Sequence, residues 1–185
     1  MTKVIHLSLE ELEAGLEVIR QSPKDEGKLT LIVRRPEVQQ RQVLEQGVLD
    51  LAEGLVGDNW KTRGSPRTAD GSAHPEMQLN VMNARVIALL AQEKERWQLA
   101  GDQLFIDLDL SLENLPPGTR LALGQAVIEV TGQPHTGCAK FMDRYGKEAL
   151  KFVNSAEGKA LRLRGLNAKV VQAGAIRVGD VARKV

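Results

Sequence analysis

The sequence predicts a mainly β domain with flanking helices, of the α+β class, and three observations carry that prediction. At least six short runs rich in β-formers are closed by glycine or proline, the pattern of strands joined by turns. Only two or three stretches place apolar residues three and four apart, as an amphipathic helix requires. The 185 residues, 42% hydrophobic and 26% charged, suit one domain over 1–185 that builds its core without staples.

The elements follow in order. Ser8 and Glu11 fit a capping box, and Leu9, Leu12, Leu16 and Ile19 continue as a short helix to about Arg20. Leu29 to Arg34 reads as a strand, stopped by Arg35-Pro36 as an edge strand would be. A second extended piece starts at Val48 and ends in a Gly57-Asp58 turn. From Lys61 to His74 the only apolar residues are two alanines, which predicts a long surface loop, mobile without ligand or built around a site. Pro75 at a first helical position, with Met77, Val81, Met82, Val86, Leu89 and Leu90, predicts the best helix, to about Lys94. LFIDLDL, TRLALG and QAVIEVTG read as strands, the last two as a hairpin about Gly124-Gln125. Helical turns broken at Gly146 follow, and KALRLRG, NAKVVQAG and AIRVGDVARKV close the chain as further strands.

Composition excludes several function classes. The longest apolar run, Val86 to Ala91, is far short of the roughly 20 residues that span a bilayer, so no membrane association is expected and the protein reads as cytoplasmic. One cysteine excludes an internal disulfide, a four-cysteine zinc site and an all-cysteine iron–sulfur cluster. A net charge of +1 gives no reason to expect nucleic acid. Residues 159–185 nevertheless hold seven basic side chains against one acidic, which fits either a local anion site or a solvated basic edge.

The most unusual local grouping is Gln133 to Lys140, QPHTGCAK, between a strand end and a helix start. Cys138 falls at the first turn of that helix, where free N–H groups and nearby Lys140 favour an anion, so it suits a nucleophile or a soft-metal ligand. It equally fits a small buried hydrophobe. His135 fits a base, a ligand or an ordinary loop residue. Asp107 and Asp109 share a strand face and read as solvent-facing. No phosphate loop or dinucleotide fingerprint is present.

The ordered segments GLVGDNW, QLNVMNARVIALL, GDQLFIDLDL, LPPGTRLALGQAVIEVTGQPHTGCAKF and RGLNAKVVQAGAIRVGD together resemble the MOSC domain, named for the C-terminal domain of molybdenum-cofactor sulfurase. The resemblance spans nearly the whole chain. It implies a β-barrel-like fold and a molybdenum cofactor, a metal held by a pterin dithiolene with a terminal phosphate. Cys138 matches the family's cysteine, implying a molybdenum ligand and catalytic residue, or a persulfide-bearing sulfur carrier. The cofactor contacts expected with it are Arg63, Arg67, His74, His135, Thr136, Gly137 and Lys140, with Arg162 and Arg164 as the alternative phosphate clamp.

Two functions from different classes follow from the resemblance. One is an oxidoreductase that reduces N-hydroxylated compounds, with electrons from a separate donor protein. The other is a non-catalytic cofactor-binding or sulfur-carrier module served by a sulfur-donor protein. A third outcome keeps the fold and loses the cofactor. Full sulfurases carry a large pyridoxal-phosphate domain ahead of this one, for which 185 residues leave no room, so pyridoxal phosphate is not expected.

Overall fold

The computed structural model describes residues 4–185. The capping box forms: the Ser8 backbone N–H donates to Glu11 Oε2 at 2.7 Å, and the Glu11 N–H donates to Ser8 Oγ at 3.3 Å. The helix it opens is two short pieces, α1 (Leu9–Ala14) and α2 (Leu16–Arg20), rather than one. Gly15 lies between them because a Cβ there would come within 2.5 Å of Leu89, so the backbone itself packs on the neighbouring helix.

Eleven strands follow among the described residues. They are β1 (Glu26–Arg34), β2 (Gln42–Leu44), β3 (Gln46–Asp50), β4 (Gly54–Leu55), β5 (Leu79–Asn83), β6 (Leu104–Asp107), β7 (Arg120–Leu123), β8 (Ala126–Val130), β9 (Leu166–Gln172), β10 (Gly174–Arg177) and β11 (Val181–Lys184). The main sheet runs β11-β7-β8-β9-β5-β6-β1, and a further β11–β1 pairing closes it into a seven-strand barrel with β2 attached outside. Closure removes the unpaired edges that an open sheet exposes. The expectation that Leu29–Arg34 is an edge strand is therefore corrected. β1 is long enough to pair with β11 at its start, with β6 along its middle and with β2 at its end, and Pro36 stops it only after those pairings are complete.

A register shift in β1 divides the core in two. Leu29 faces Ile106 and Leu31 faces Phe105, so Thr30 is the extra residue of a bulge, and its hydroxyl donates to the Phe105 carbonyl at 2.9 Å. The slip turns Leu29 and Ile32 into the barrel while Leu31 and Val33 face outward. The loop expected from Lys61 opens instead with one helical turn, α3 (Trp60–Arg63), and is irregular only after Arg63. The outward set meets helices α1, α2, α4 (Ala84–Ala91), α5 (Ala139–Tyr145) and α6 (Lys147–Asn154), with Phe105, Phe141 and Phe152 in that second core.

Two further expectations are corrected. The helix predicted from Pro75 to Lys94 is a 3₁₀ turn at Pro75–Met77, then strand β5, then α4. Every residue of β5 is buried, since the barrel covers one face and the helices the other. The polar–apolar alternation that marks a half-exposed strand is therefore missing, and the three-four spacing carries through. KALRLRG is not a strand either. Ser155 caps a one-turn helix, α7 (Ala156–Ala160), and Arg162 then turns the chain with φ 49°. The hairpin β7–β8 at Gly124, φ 57°, and the break between α5 and α6 at Gly146, φ 94°, match the expectations. Asp107 is half-buried and paired with Arg85 at 2.7 Å rather than free in solvent. Among the described residues no helix is long and apolar enough to cross a membrane.

Candidate active site

The chain leaves the barrel at Val130 and reaches α5 through the cysteine loop, which three sets of hydrogen bonds fix. The Thr131 hydroxyl donates to the Glu76 carbonyl at 2.6 Å, and the Asn167 amide donates to the carbonyls of Gln133 at 3.1 Å and Pro134 at 3.3 Å. Gly137 and Asn154 exchange two bonds, the Gly137 N–H donating to Oδ1 at 2.9 Å and Nδ2 donating back to the Gly137 carbonyl at 3.1 Å. A Cβ on Gly137 would crowd the Leu150 tip at 2.8 Å and the buried Val153 at 3.1 Å, so glycine lets the loop lie close against α6. Cys138 then caps α5 with extended backbone and an exposed side chain.

Beneath this loop two buried carboxylates hold two buried arginines. Asp58 accepts both Arg35 Nε at 2.9 Å and Nη2 at 2.7 Å, a bidentate pair, and Arg35 Nη1 also donates to the Gly101 carbonyl at 2.9 Å. Asp102 accepts from Arg164 Nη1 at 2.6 Å and lies 2.9 Å from His135 Nε2. Burial pushes the Asp102 pKa up, but the Arg164 charge, His135 and the hydrogen bonds both donate outweigh it and hold it down at about 2. Burial, with Arg164 nearby, lowers the His135 pKa against the opposing pull of Asp102. At pH 7 His135 is therefore neutral and donates Nε2–H to Asp102, which leaves Nδ1 as an acceptor. Gly165, φ 109°, allows this packing, since a Cβ there would meet the Val81 carbonyl at 2.3 Å and the His135 ring at 3.2 Å.

A cavity of about 310 Å³ opens between these elements, within the usual size range of small-molecule sites. Six cations line it: Arg35, Arg41, Arg63, Lys140, Arg144 and Arg164. Among the described residues Glu37 is its one acidic lining residue. Arg35 and Arg164 are neutralised by their carboxylates, whereas Arg41, Arg63, Lys140 and Arg144 make no ion pair among the described residues. Burial and the neighbouring Arg144 and Arg35 charges lower the Arg41 pKa, and burial with Arg35 lowers that of Arg63. Like charges crowded in this way are relieved by an anion. Three buried lining atoms, Arg41 Nε, Arg164 Nε and Asn59 Oδ1, have no hydrogen-bond partner among the described residues.

The family model of the MOSC domain matches residues 68–183, more than half of the chain. The chain belongs to the MOSC domain family. Solved structures share the fold. The YuaD protein from Bacillus subtilis superposes with a TM-score of 0.62 at 14% identity over 85% of this chain and 94% of that one. YiiM from Escherichia coli gives 0.55 at 17% identity over 85% and 69%. A protein described as hypothetical gives 0.61 at 19% identity over 91% and 71%. No curated protein matches the sequence.

The MOSC fold brings together only some of the residues expected at the site. Arg63, His135, Cys138 and Lys140 border the cavity. Gly137 positions the loop, and Thr136 faces a different cavity, across the loop. His74 caps the 3₁₀ turn, its Nδ1 accepting from the Glu76 N–H at 3.2 Å, and neither it nor the exposed Arg67 is among the cavity-lining residues. Arg35, Arg41, Arg144 and Asp102 were not anticipated. Of these, Arg35 appears in the sequence only as the strand stop before Pro36, and Asp102 only within the segment GDQLFIDLDL.

Proposed function

We propose that this MOSC domain binds the molybdenum cofactor in its cationic cavity, with Cys138 as the molybdenum ligand. The observation that carries the reading is the donor set: four cations without carboxylates, two orphaned arginine N–H groups and one orphaned amide oxygen around one cavity. A phosphate-bearing pterin fits that set, offering an anion to the guanidinium groups and ring N–H groups to Asn59. Among the described residues no three His, Cys, Asp or Glu side chains group to hold a metal. A metal bound here must bring ligands of its own, and a dithiolene-held molybdenum needs only one protein thiolate.

In this reading Arg41, Arg63 and Arg144 hold the phosphate, and Lys140 adds positive potential beside Cys138. Asp102 keeps Arg164 and His135 fixed in the wall. When bound, the molybdenum centre would supply two-electron oxygen-atom chemistry. The reaction we assign is reduction of an N-hydroxylated compound, which takes up two electrons from a donor protein and two protons, and releases the amine and water. Exposure of Cys138 favours a second reading, a carrier that meets a sulfur-donor protein directly.

Purification from a host that makes the cofactor, followed by metal and pterin analysis, tests the proposal. Near-stoichiometric molybdenum and pterin support it, and absence of both overturns it. Turnover of an N-hydroxylated substrate by the loaded protein with an artificial reductant separates the enzyme from the carrier.

A further inference from the structure

His135 and Arg164 form a wall with a cavity on each side. The second cavity, about 330 Å³, is bordered by both side chains and has a different lining. Leu112, Pro117, Val153 and Leu166 make much of it apolar, and Leu112 is 48% exposed. Its cations are Lys159 and Arg162 besides Arg164, and among the described residues no acidic side chain lines it. Lys159 makes no ion pair among the described residues. Arg162 stands in the left-handed region at φ 49° and donates through Nη1 to the carbonyls of Leu115 at 2.6 Å and Leu110 at 3.4 Å, and it makes no ion pair among the described residues. Left-handed backbone at a non-glycine residue is retained where the surroundings enforce it, commonly at ligand sites.

From this pairing of an apolar lining with uncompensated cations, we infer that the second cavity binds a small organic acid, an apolar body carrying one carboxylate. Lys159 and Arg162 receive the carboxylate, and Leu112, Val153 and Leu166 cover the body. The inference does not depend on the cofactor, and it concerns the opposite side of the wall from Cys138.

Gly132 supplies the test. It lines this cavity, its backbone is outside the left-handed region, and an added Cβ would have only Pro117 nearby, at 4.0 Å. Gly132→Leu therefore places a bulky side chain at the border of the cavity, with open space for its Cβ. Benzoate titrated into the ¹⁵N-labelled protein should saturably shift the amides of Gly132, Lys159, Arg162 and Gly165, and the neutral isostere benzamide should bind at least tenfold more weakly. Gly132→Leu should abolish the benzoate shifts at an unchanged Tm, and Lys159→Gln should weaken benzoate several-fold. The inference is overturned if benzoate gives no saturable shift, if benzamide binds equally well, or if the shifts fall instead on Asn59 and Gly101 of the first cavity.

Discussion

Asp102 accepts a hydrogen bond from the Arg164 guanidinium at 2.6 Å, with the carboxylate fully buried and the arginine 8% exposed. Breaking a buried pair from one side strands the other charge, which costs about 3–5 kcal/mol. Asp102→Asn should therefore lower unfolding stability by about that amount in urea titrations. A loss below about 1 kcal/mol would show that the pair does not hold the wall.

The same cluster sets an acid sensitivity. Both His135 and Asp102 have lowered pKa values in the fold. The unfolded chain therefore binds their protons more readily, and acid favours unfolding. Stability should begin to fall as pH drops below the ordinary histidine value of 6.5, and fall again below 3.8 as Asp102 approaches its folded value of about 2. Denaturation curves across pH check this: His135→Gln should lose the first window and keep the second in narrowed form, since Arg164 still holds the Asp102 pKa down.

The Gly137–Asn154 exchange predicts a positioning effect. Asn154→Ala removes both partners of Gly137 and should cost about 1–2 kcal/mol, as loss of intramolecular hydrogen bonds does. It should also lower molybdenum retention, because the loop that carries Cys138 loses its anchor to α6. Gly137→Ala should do the same through the 2.8 Å approach to Leu150. Full retention in both variants would disconnect the loop from the site.

Cys138→Ser should separate the metal from the pterin. The side chain is exposed, so stability should change by no more than about 0.5 kcal/mol. A hard, protonated hydroxyl is a poor molybdenum ligand, so molybdenum should be lost while pterin, held by the arginines, remains. Metal analysis and pterin fluorescence on one sample read both. Undiminished molybdenum would remove Cys138 from the metal.

Local chemistry made part of this molecule legible in its sequence. The capping box, the Gly124 hairpin and the placement of Cys138 at a helix start each depend on residues within a few positions of one another. β5 was hidden because a strand buried on both faces has no alternation to read, and LNVMN inside a three-four pattern mimics a helix. The cavity was hidden for a different reason. Arg35, Arg41, Arg63, Arg144 and Arg164 come from segments that meet only when β1 closes the barrel and α5 packs on it, so no window of sequence contains the cluster. Arg63 and Arg67 read alike in the sequence, but Arg63 ends the helical turn α3 and borders the cavity, whereas Arg67 lies in the loop beyond it.

The most direct measurement of the central claim, that the unpaired cavity cations hold an anionic pterin, is pterin content per protein in Arg41→Gln/Arg63→Gln beside Arg67→Gln as control, each purified from a cofactor-making host at low and at moderate salt. The double variant should lose most of its pterin at both salt concentrations while Arg67→Gln retains the wild-type amount, since Arg67 is exposed and away from the cavity. Equal pterin content in the double variant and the control would contradict the claim.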